Sequence, residues 1–248
     1  MIKRAMDISA AIAGLAILSP MLVLIAMSIW IEDRYSPFFF GKRVARGGGF
    51  FRMVKFRSMR PDAWKTGVSS TAAGDKRITH VGRVIRRFKL DELPQLWNVL
   101  IGDMSLVGPR PQVEADASMY TAKEQRMLSV RPGITDVSSI VFADEGEILA
   151  SAADPDLRYN QIIRPWKSRL ALLYIERATI ITDCELIFLT LVSAFSRDHA
   201  LKWVQRLLES WKADSQLLRM AARRVPLEAW PPPGSARVVD HYPRQFAA

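Results

Sequence analysis

The strongest constraint on this chain lies near its start. Between Ile8 and Ile31 there are 24 consecutive residues without a charge, ISAAIAGLAILSPMLVLIAMSIWI. A helix needs about 20 apolar residues to cross the hydrocarbon of a bilayer. The run is therefore long enough to enter a membrane. It is too long for the apolar stretch of a secretion signal, and no small-x-small cleavage site follows it. Ser19-Pro20 falls near its centre. Proline removes a backbone donor and crowds the preceding turn, while a serine hydroxyl can satisfy the carbonyl so freed. The run is thus predicted to be a helix kinked at Ser19 and Pro20. Cations flank both ends, Lys3 and Arg4 before it and Arg34, Lys42 and Arg43 after it. Such symmetry gives no orientation. From the residues alone, a straight crossing and a re-entrant helix that leaves by the face it entered both remain open.

The remainder of the chain is long enough to bury a core of its own. Phe38 to Arg43 and Phe50 to Arg57, either side of Arg46-Gly47-Gly48-Gly49, read as a β-hairpin with a glycine turn. Seven cations and no acid lie between Ser36 and Pro61, interleaved with phenylalanines. That pattern suits a surface whose aromatics sit at headgroup depth. Residues 62–79 read as a mobile loop, and Val81 to Leu90 as a helix with apolar residues on one face. Ala115 to Ser129 is a predicted helix, Pro165 to Phe195 a long amphipathic helical region, and Leu201 to Arg224 a further amphipathic segment with a basic face. The expected fold is mostly α with a small β-hairpin (α+β). A re-entrant or spanning helix occupies 1–35 and a compact domain 36–196. A basic amphipathic helix occupies 197–225, and a loosely ordered Pro-rich tail 226–248.

The net charge of +10 points to anionic membranes or phosphorylated substrates, with nucleic acid open on charge alone. One cysteine, Cys184, excludes an internal disulfide and is expected to be a packed thiol. Three scattered histidines have no metal-ligand spacing. The chemistry concentrates at Leu90-Asp91-Glu92-Leu93-Pro94-Gln95-Leu96-Trp97-Asn98-Val99-Leu100. Six cations precede the acid pair, Lys76, Arg77, Arg83, Arg86, Arg87 and Lys89, with no acid between Lys76 and Leu90. Adjacent carboxylates in that field suit anionic phosphates and a divalent metal. Asp91 also fits an N-cap, with Pro94 in the first turn of the next helix. Gly108-Pro109-Arg110-Pro111 is a stiff loop projecting one arginine.

These pieces, in order, resemble the bacterial sugar transferase family, the monotopic phosphoglycosyl transferases. The likeness rests on Lys3-Arg4 with Asp7, Ser19-Pro20, Lys55-Phe56-Arg57-Ser58-Met59, Gly82-Arg83 with Arg86, and the Leu90–Leu100 run. Gly102-Asp103-Met104-Ser105, Val107 to Pro111 and Arg131-Pro132-Gly133-Ile134-Thr135 complete it, over roughly residues 1–196. The resemblance implies transfer of a sugar 1-phosphate from a UDP-sugar to polyprenyl (undecaprenyl) phosphate, with release of UMP, at the start of cell-surface glycan assembly. It implies a re-entrant helix in the bacterial cytoplasmic membrane with the domain facing the cytoplasm, like the small members of the family. By the same resemblance Asp91 is the nucleophile that carries a phosphosugar, Glu92 the ligand of Mg²⁺, and Lys55, Arg57, Arg83, Arg86 and Arg110 hold phosphates or nucleotide. Expected partners are a UDP-sugar, polyprenyl phosphate and membrane lipid, with room for a homodimer and without nucleic acid. The rival reading is a non-catalytic membrane-anchored basic module that binds nucleic acid or anionic lipid. After Thr135 the chain departs from the commoner pattern: Asp136 stands where glycine is usual, Ala143 lies near an arginine position, and Asp144-Glu145-Gly146-Glu147 makes the loop acidic. That loop is expected to shape the sugar or nucleotide pocket.

Overall fold

A computed structural model describes residues 2–66, 68, 70–72 and 74–243. The apolar run forms one helix, α1 (Ile2–Asp33), with Pro20 inside it. Ser19 Oγ donates to Ala16 O at 2.8 Å. Ala16 is four residues before Pro20, so this is the carbonyl left without its helical partner. Helical conformation continues on both sides of the proline.

β1 (Phe38–Val44) and β2 (Phe50–Phe56) pair antiparallel, Phe38 opposite Phe56 and Val44 opposite Phe50, across a short 3-10 turn. α2 (His80–Arg87) is capped by Thr79, whose side chain accepts from Gly82 N. α3 (Gln95–Ile101) ends at Gly102, whose φ of 101° closes the helix in the left-handed region. β3 (Ser105–Val107) pairs in parallel with β4 (Gly133–Thr135). Between them lie α4 (Glu114–Ser118) and a 3-10 turn over Glu124–Ser129. The chain continues through α5 (Val137–Val141), α6 (Glu145–Ile148), α7 (Pro155–Ile162), α8 (Arg164–Arg177), α9 (Ile180–Phe195), α10 (Arg197–Ser210) and α11 (Ser215–Ala221).

The main core is built by α5 and α7 to α11, around Ile140, Leu149, Ile163, Leu170, Leu186, Leu189, Val204 and Leu208. α1 lies against the same body along its length. Ala11 packs with Phe51, Met53, Val99 and Met104, and Ile25 and Ile29 pack with Phe56 and Ile85. Its start is held by an ion pair between Lys3 and Asp183, and by Arg4, which donates to Val99 O and Leu100 O in the last turn of α3. A cation there answers the negative end of the helix. Asp7, buried, accepts from Ser105 Oγ at 3.1 Å and Leu106 N at 3.0 Å. At the other end Asp33 pairs with both guanidinium nitrogens of Arg57 at 2.6 Å, and Glu32 accepts from His80 N at 2.8 Å.

Several expectations are corrected. Ala115 to Ser129 is not one helix: α4 stops at Ser118 and the rest holds only a 3-10 turn. The buried Glu124 there accepts from Arg164, and this contact replaces helical continuity. The Pro165 to Phe195 region breaks at Ala178-Thr179, where the Thr179 side chain caps α9. The 197–225 segment is two helices, not one. The tail lacks helix and strand over residues 226–243 but is not loose. Trp230 stacks on Trp166 with centroids 5.5 Å apart, its backbone N–H donates to Gln161 O, Gln161 Nε2 donates to Val239 O, and Tyr242 is buried. Aromatic burial anchors a segment whose prolines forbid regular structure. Residues 244–248 lie outside the described residues, as do 67, 69 and 73 of the predicted mobile loop. The rest of that loop is organised by Arg77, which binds Asp75, Val68 O and Ser70 O. Cys184 is exposed rather than packed.

Candidate active site

Asp91 and Glu92 stand in a 3-10 turn, Leu90–Glu92, immediately after Lys89, whose φ of 54° is left-handed. A side chain with a Cβ in that region costs roughly 1 kcal/mol or more. The reversal brings the acid pair back over the end of β2. Asp91 is therefore not the N-cap expected of it: α3 begins at Gln95, with Pro94 before it. Two glycines make the neighbouring approaches feasible. A Cβ at Gly82 would lie 2.0 Å from Ser58 O, and one at Gly133 would lie 2.1 Å from Gly108 N. The first seats α2 on the chain leaving β2; the second lets the Gly108 to Pro111 loop meet the Arg131 to Thr135 segment. Asn98 finishes the frame, donating to Arg52 O and accepting from Val54 N, both at 2.8 Å. Its amide also donates to Asp103, which thereby has a structural duty.

Glu92 is saturated. Lys55 Nζ donates to its Oε1 at 3.1 Å, Arg110 Nη1 donates to Oε2 at 2.9 Å, and Arg110 Nη2 pairs with Oε1. Burial alone would raise its pKa, but Arg110 and Lys55 together outweigh that and hold it well below the usual carboxylate range. Asp91, also buried, is the opposite case. No hydrogen bond or ion pair joins its carboxylate to another described residue. Burial, reinforced by the adjacent Glu92 charge, pushes its pKa up, with Lys55, Arg86 and Arg110 opposing. Burial lowers the pKa of Lys55 and of Lys89, against the pull of Glu92.

Of the sequence-predicted residues, the structure brings together Asp91, Glu92, Lys55, Arg86 and Arg110. Arg86 reaches Ser58 Oγ at 3.4 Å. Arg57 is corrected: it is buried and committed to Asp33, so it fixes the end of α1 and has no donor fork to spare. Arg83 is also apart. It is exposed, 3.0 Å from His80 Nδ1, and lines a cleft of about 590 Å³ with Arg60, Lys76 and Glu32. Three charged residues near the site are not marked as site residues by any sequence motif: Lys89, Glu145 and Lys167. Glu145 and Lys167 form an ion pair, and Glu145 acts electrostatically on Arg110 and Lys89. In the sequence Lys89 is visible only as one cation of the run, and Glu145 only as part of an acidic loop.

Among the described residues no cluster of three or more His, Cys, Asp or Glu could cage a metal. The oxygen donors that exist, Glu92 beside Asp91, nevertheless fit Mg²⁺. That ion keeps most of its waters and binds through one or two carboxylates plus substrate phosphates. Four cations, Lys55, Arg86, Lys89 and Arg110, face two acids, which leaves positive charge for a polyphosphate.

Residues 1–197 match the family model for bacterial sugar transferases. The chain is similar to a UDP-N-acetylgalactosamine-undecaprenyl-phosphate N-acetylgalactosaminephosphotransferase of Aeromonas hydrophila, 36% identical over 66% of this chain and 40% of that one. It is 34% identical to a UDP-glucose:undecaprenyl-phosphate glucose-1-phosphate transferase of Caulobacter vibrioides, over 73% of this chain and 70% of the other. It is also 33% identical to the exopolysaccharide production protein PSS of Rhizobium leguminosarum, over 79% of this chain and 96% of that one. The chain thus spans two fifths of the Aeromonas relative and most of the other two.

Proposed function

The chain belongs to the bacterial sugar transferase family, and from that premise we propose that it transfers a sugar 1-phosphate from a UDP-sugar to polyprenyl phosphate, releasing UMP, through a phosphosugar carried on Asp91. The observation that carries this reading is the asymmetry of the acid pair: a buried carboxylate with no hydrogen bond or ion pair to a described residue, beside one held by two cations.

An Asp91 oxygen attacks the phosphorus that bears the sugar. The bond from that phosphorus to the bridging oxygen breaks, UMP leaves with the bonding pair, and an acyl phosphate remains on Asp91. A phosphate oxygen of the polyprenyl acceptor then attacks the same phosphorus, and the Asp91 carboxylate departs. Each half is a phosphoryl transfer, in which positioning and charge neutralisation do most of the catalysis. Lys55, Arg86 and Arg110 neutralise the diphosphate; Arg110, whose fork is taken by Glu92, acts there as a positioned charge. Glu92, with Asp91, would hold Mg²⁺, which supplies charge neutralisation on the phosphates. Glu92 also keeps Lys55 and Arg110 aimed at the place where that charge develops.

The lipid acceptor requires a membrane surface, and the exposed side chains supply one. Ile17 is 75% and Leu24 65% exposed on α1, and Ile181 80% and Phe195 92% exposed on α9. Only 11% of the most apolar stretch of α1 is buried, unlike a soluble core helix. Both ends of α1 are tied to one body, Lys3 to Asp183 and Asp33 to Arg57. This favours same-side entry and exit. A pure polyanion binder has no use for a buried carboxylate that is unpaired among the described residues and set among its cations. The test is a panel of UDP-sugars with Mg²⁺ and polyprenyl phosphate in vesicles. UMP release from at least one donor is expected; none from any donor would refute the reading.

A further inference from the structure

We infer that the basic cleft at the end of α1 seats the phosphate of an anionic membrane lipid, held by Arg60, Lys76 and Arg83. This rests on the membrane placement of α1 in the proposed function. It goes beyond that reading by assigning a lipid site outside the reaction centre.

The cleft, of about 590 Å³, is lined by the last turn of α1, by Arg60, by the chain from Gly74 to Thr79, and by His80 and Arg83 of α2. Its volume lies within the range of small-ligand sites, roughly 300–1,000 Å³. Its charges are sorted by partner. Each of the three acids on its wall is already engaged. Glu32 accepts from His80 N at 2.8 Å and Val81 N at 3.4 Å, Asp33 pairs with Arg57, and Asp75 pairs with Arg77. The three cations, Arg60, Lys76 and Arg83, are exposed and form no ion pair with a described residue.

Arg83 spends one donor on His80. A guanidinium has no acceptor, so His80 Nδ1 accepts at 3.0 Å and Nε2 keeps the proton as a further donor. Glu32 occupies the N-terminus of α2, so the pull on an anion comes from side chains and not from the helix end. A cavity whose acids are satisfied internally and whose cations are not selects an anion, and an arginine fork matches phosphate oxygens.

The place of the cleft favours a lipid as the source of that phosphate. Trp30, Ile31 and Tyr35 are exposed at the same end of α1, and the Arg34 guanidinium lies 4.3 Å from the centre of the Trp30 ring. Tryptophan, tyrosine and arginine together at the end of a membrane helix mark the headgroup level. Basic pockets at that depth take lipid phosphates. The reaction-centre cations Lys55, Arg86, Lys89 and Arg110 do not line the cleft, so the lipid held there is an anchor and not a reactant.

The experiment places full-length protein in nanodiscs of phosphatidylglycerol and phosphatidylcholine, without donor or acceptor, and counts retained lipid by native mass spectrometry. Wild type is expected to keep a bound phosphatidylglycerol. Arg60→Ala with Lys76→Ala should melt like the parent and lower that occupancy about tenfold, and Arg83→Ala should lower it in the same direction. Arg206→Ala with Arg224→Ala removes the same charge from exposed positions off the cleft and should keep the lipid. Unchanged occupancy in the Arg60 and Lys76 variant overturns the proposal. So does an equal loss in both double variants, which would make net charge the cause. Inorganic phosphate in equal molar amount is expected to leave the lipid in place; displacement would assign the cleft to a soluble anion and overturn the lipid. Retention needs no turnover. A protein that keeps the lipid yet releases no UMP from any donor refutes the transferase reading alone. A protein that does not enter nanodiscs refutes the membrane placement, and the lipid site with it.

Discussion

Two buried glutamate–arginine clusters in this molecule use the same chemistry and reach different ends. In one, Glu124 and Arg164 are both buried and close on each other. Glu124 accepts from Arg164 Nε at 3.1 Å and Nη2 at 2.6 Å, from Ser168 Oγ at 2.7 Å and from Thr121 N at 3.0 Å. Arg164 spends its other donors on Asn160 Oδ1 and Met119 O. The charges balance one to one. In the other, Glu92 and Arg110 bind as tightly, but Lys55, Arg86 and Lys89 add cations, and Asp91 adds an acid with no hydrogen bond or ion pair to a described residue. The first is a joint that holds the 3-10 turn and α8 together. The second has been left incomplete in a way that costs stability, as a site built to bind charged substrate does.

The largest effect that could break this contrast is at Asp91. Asp91→Asn should lower UMP release by about 10³-fold or more while the protein folds at least as well as the parent, judged by thermal melting. Next, Arg164→Leu should cost about 3–5 kcal/mol, because the buried Glu124 charge loses its counter-ion. A denaturant titration measures that loss, and the folded fraction should keep the parent KM. Third, Glu92→Gln should reduce turnover by roughly 10–100-fold and raise the Mg²⁺ concentration needed for half-maximal rate. An unchanged Mg²⁺ profile would place the ion elsewhere.

The fourth concerns pH. Because the Asp91 pKa is raised, its anion forms later on the pH scale than a free carboxylate. The acid limb of kcat/KM should therefore lie above the ordinary aspartate range and vanish only with Asp91. Stability runs the other way. A group whose folded pKa is raised favours the folded state when protonated, and that stability is lost as pH rises through the folded pKa. Asp91→Asn should therefore be the more stable protein at pH 8, with the gap closing on acidification. Smallest of all, Arg83→Ala should change turnover less than about threefold, as expected for an exposed charge outside the cluster.

The legible parts of this fold are those where one residue type has one physical use. Pro20 with Ser19, the glycines of the hairpin turn, and the stiff Gly108 to Pro111 loop each announce their local structure. The acid pair announces a charged cluster through the cations before it. The hidden parts depend on distant partners. Arg57 resembles a phosphate ligand because nothing local shows that Asp33, 24 residues earlier, takes both ends of its fork. Asp91 resembles a cap because the left-handed turn at Lys89 has no sequence signature; lysine is not a residue that favours it. Glu124 is hidden inside an apparently helical segment, and Glu145 and Lys167 lie in no motif and meet only when α6 and α8 pack. The tail misleads because proline content signals irregular backbone, not the absence of anchors such as Trp230 and Tyr242.

The most direct test of the central claim is intact-mass analysis of the protein mixed with its UDP-sugar and Mg²⁺ but no lipid acceptor. Wild type should gain the mass of one phosphosugar, mapped to Asp91 and discharged when polyprenyl phosphate is added, and Asp91→Asn should gain nothing. An unmodified wild-type mass under conditions that support full turnover, or an adduct that persists in Asp91→Asn, would contradict it.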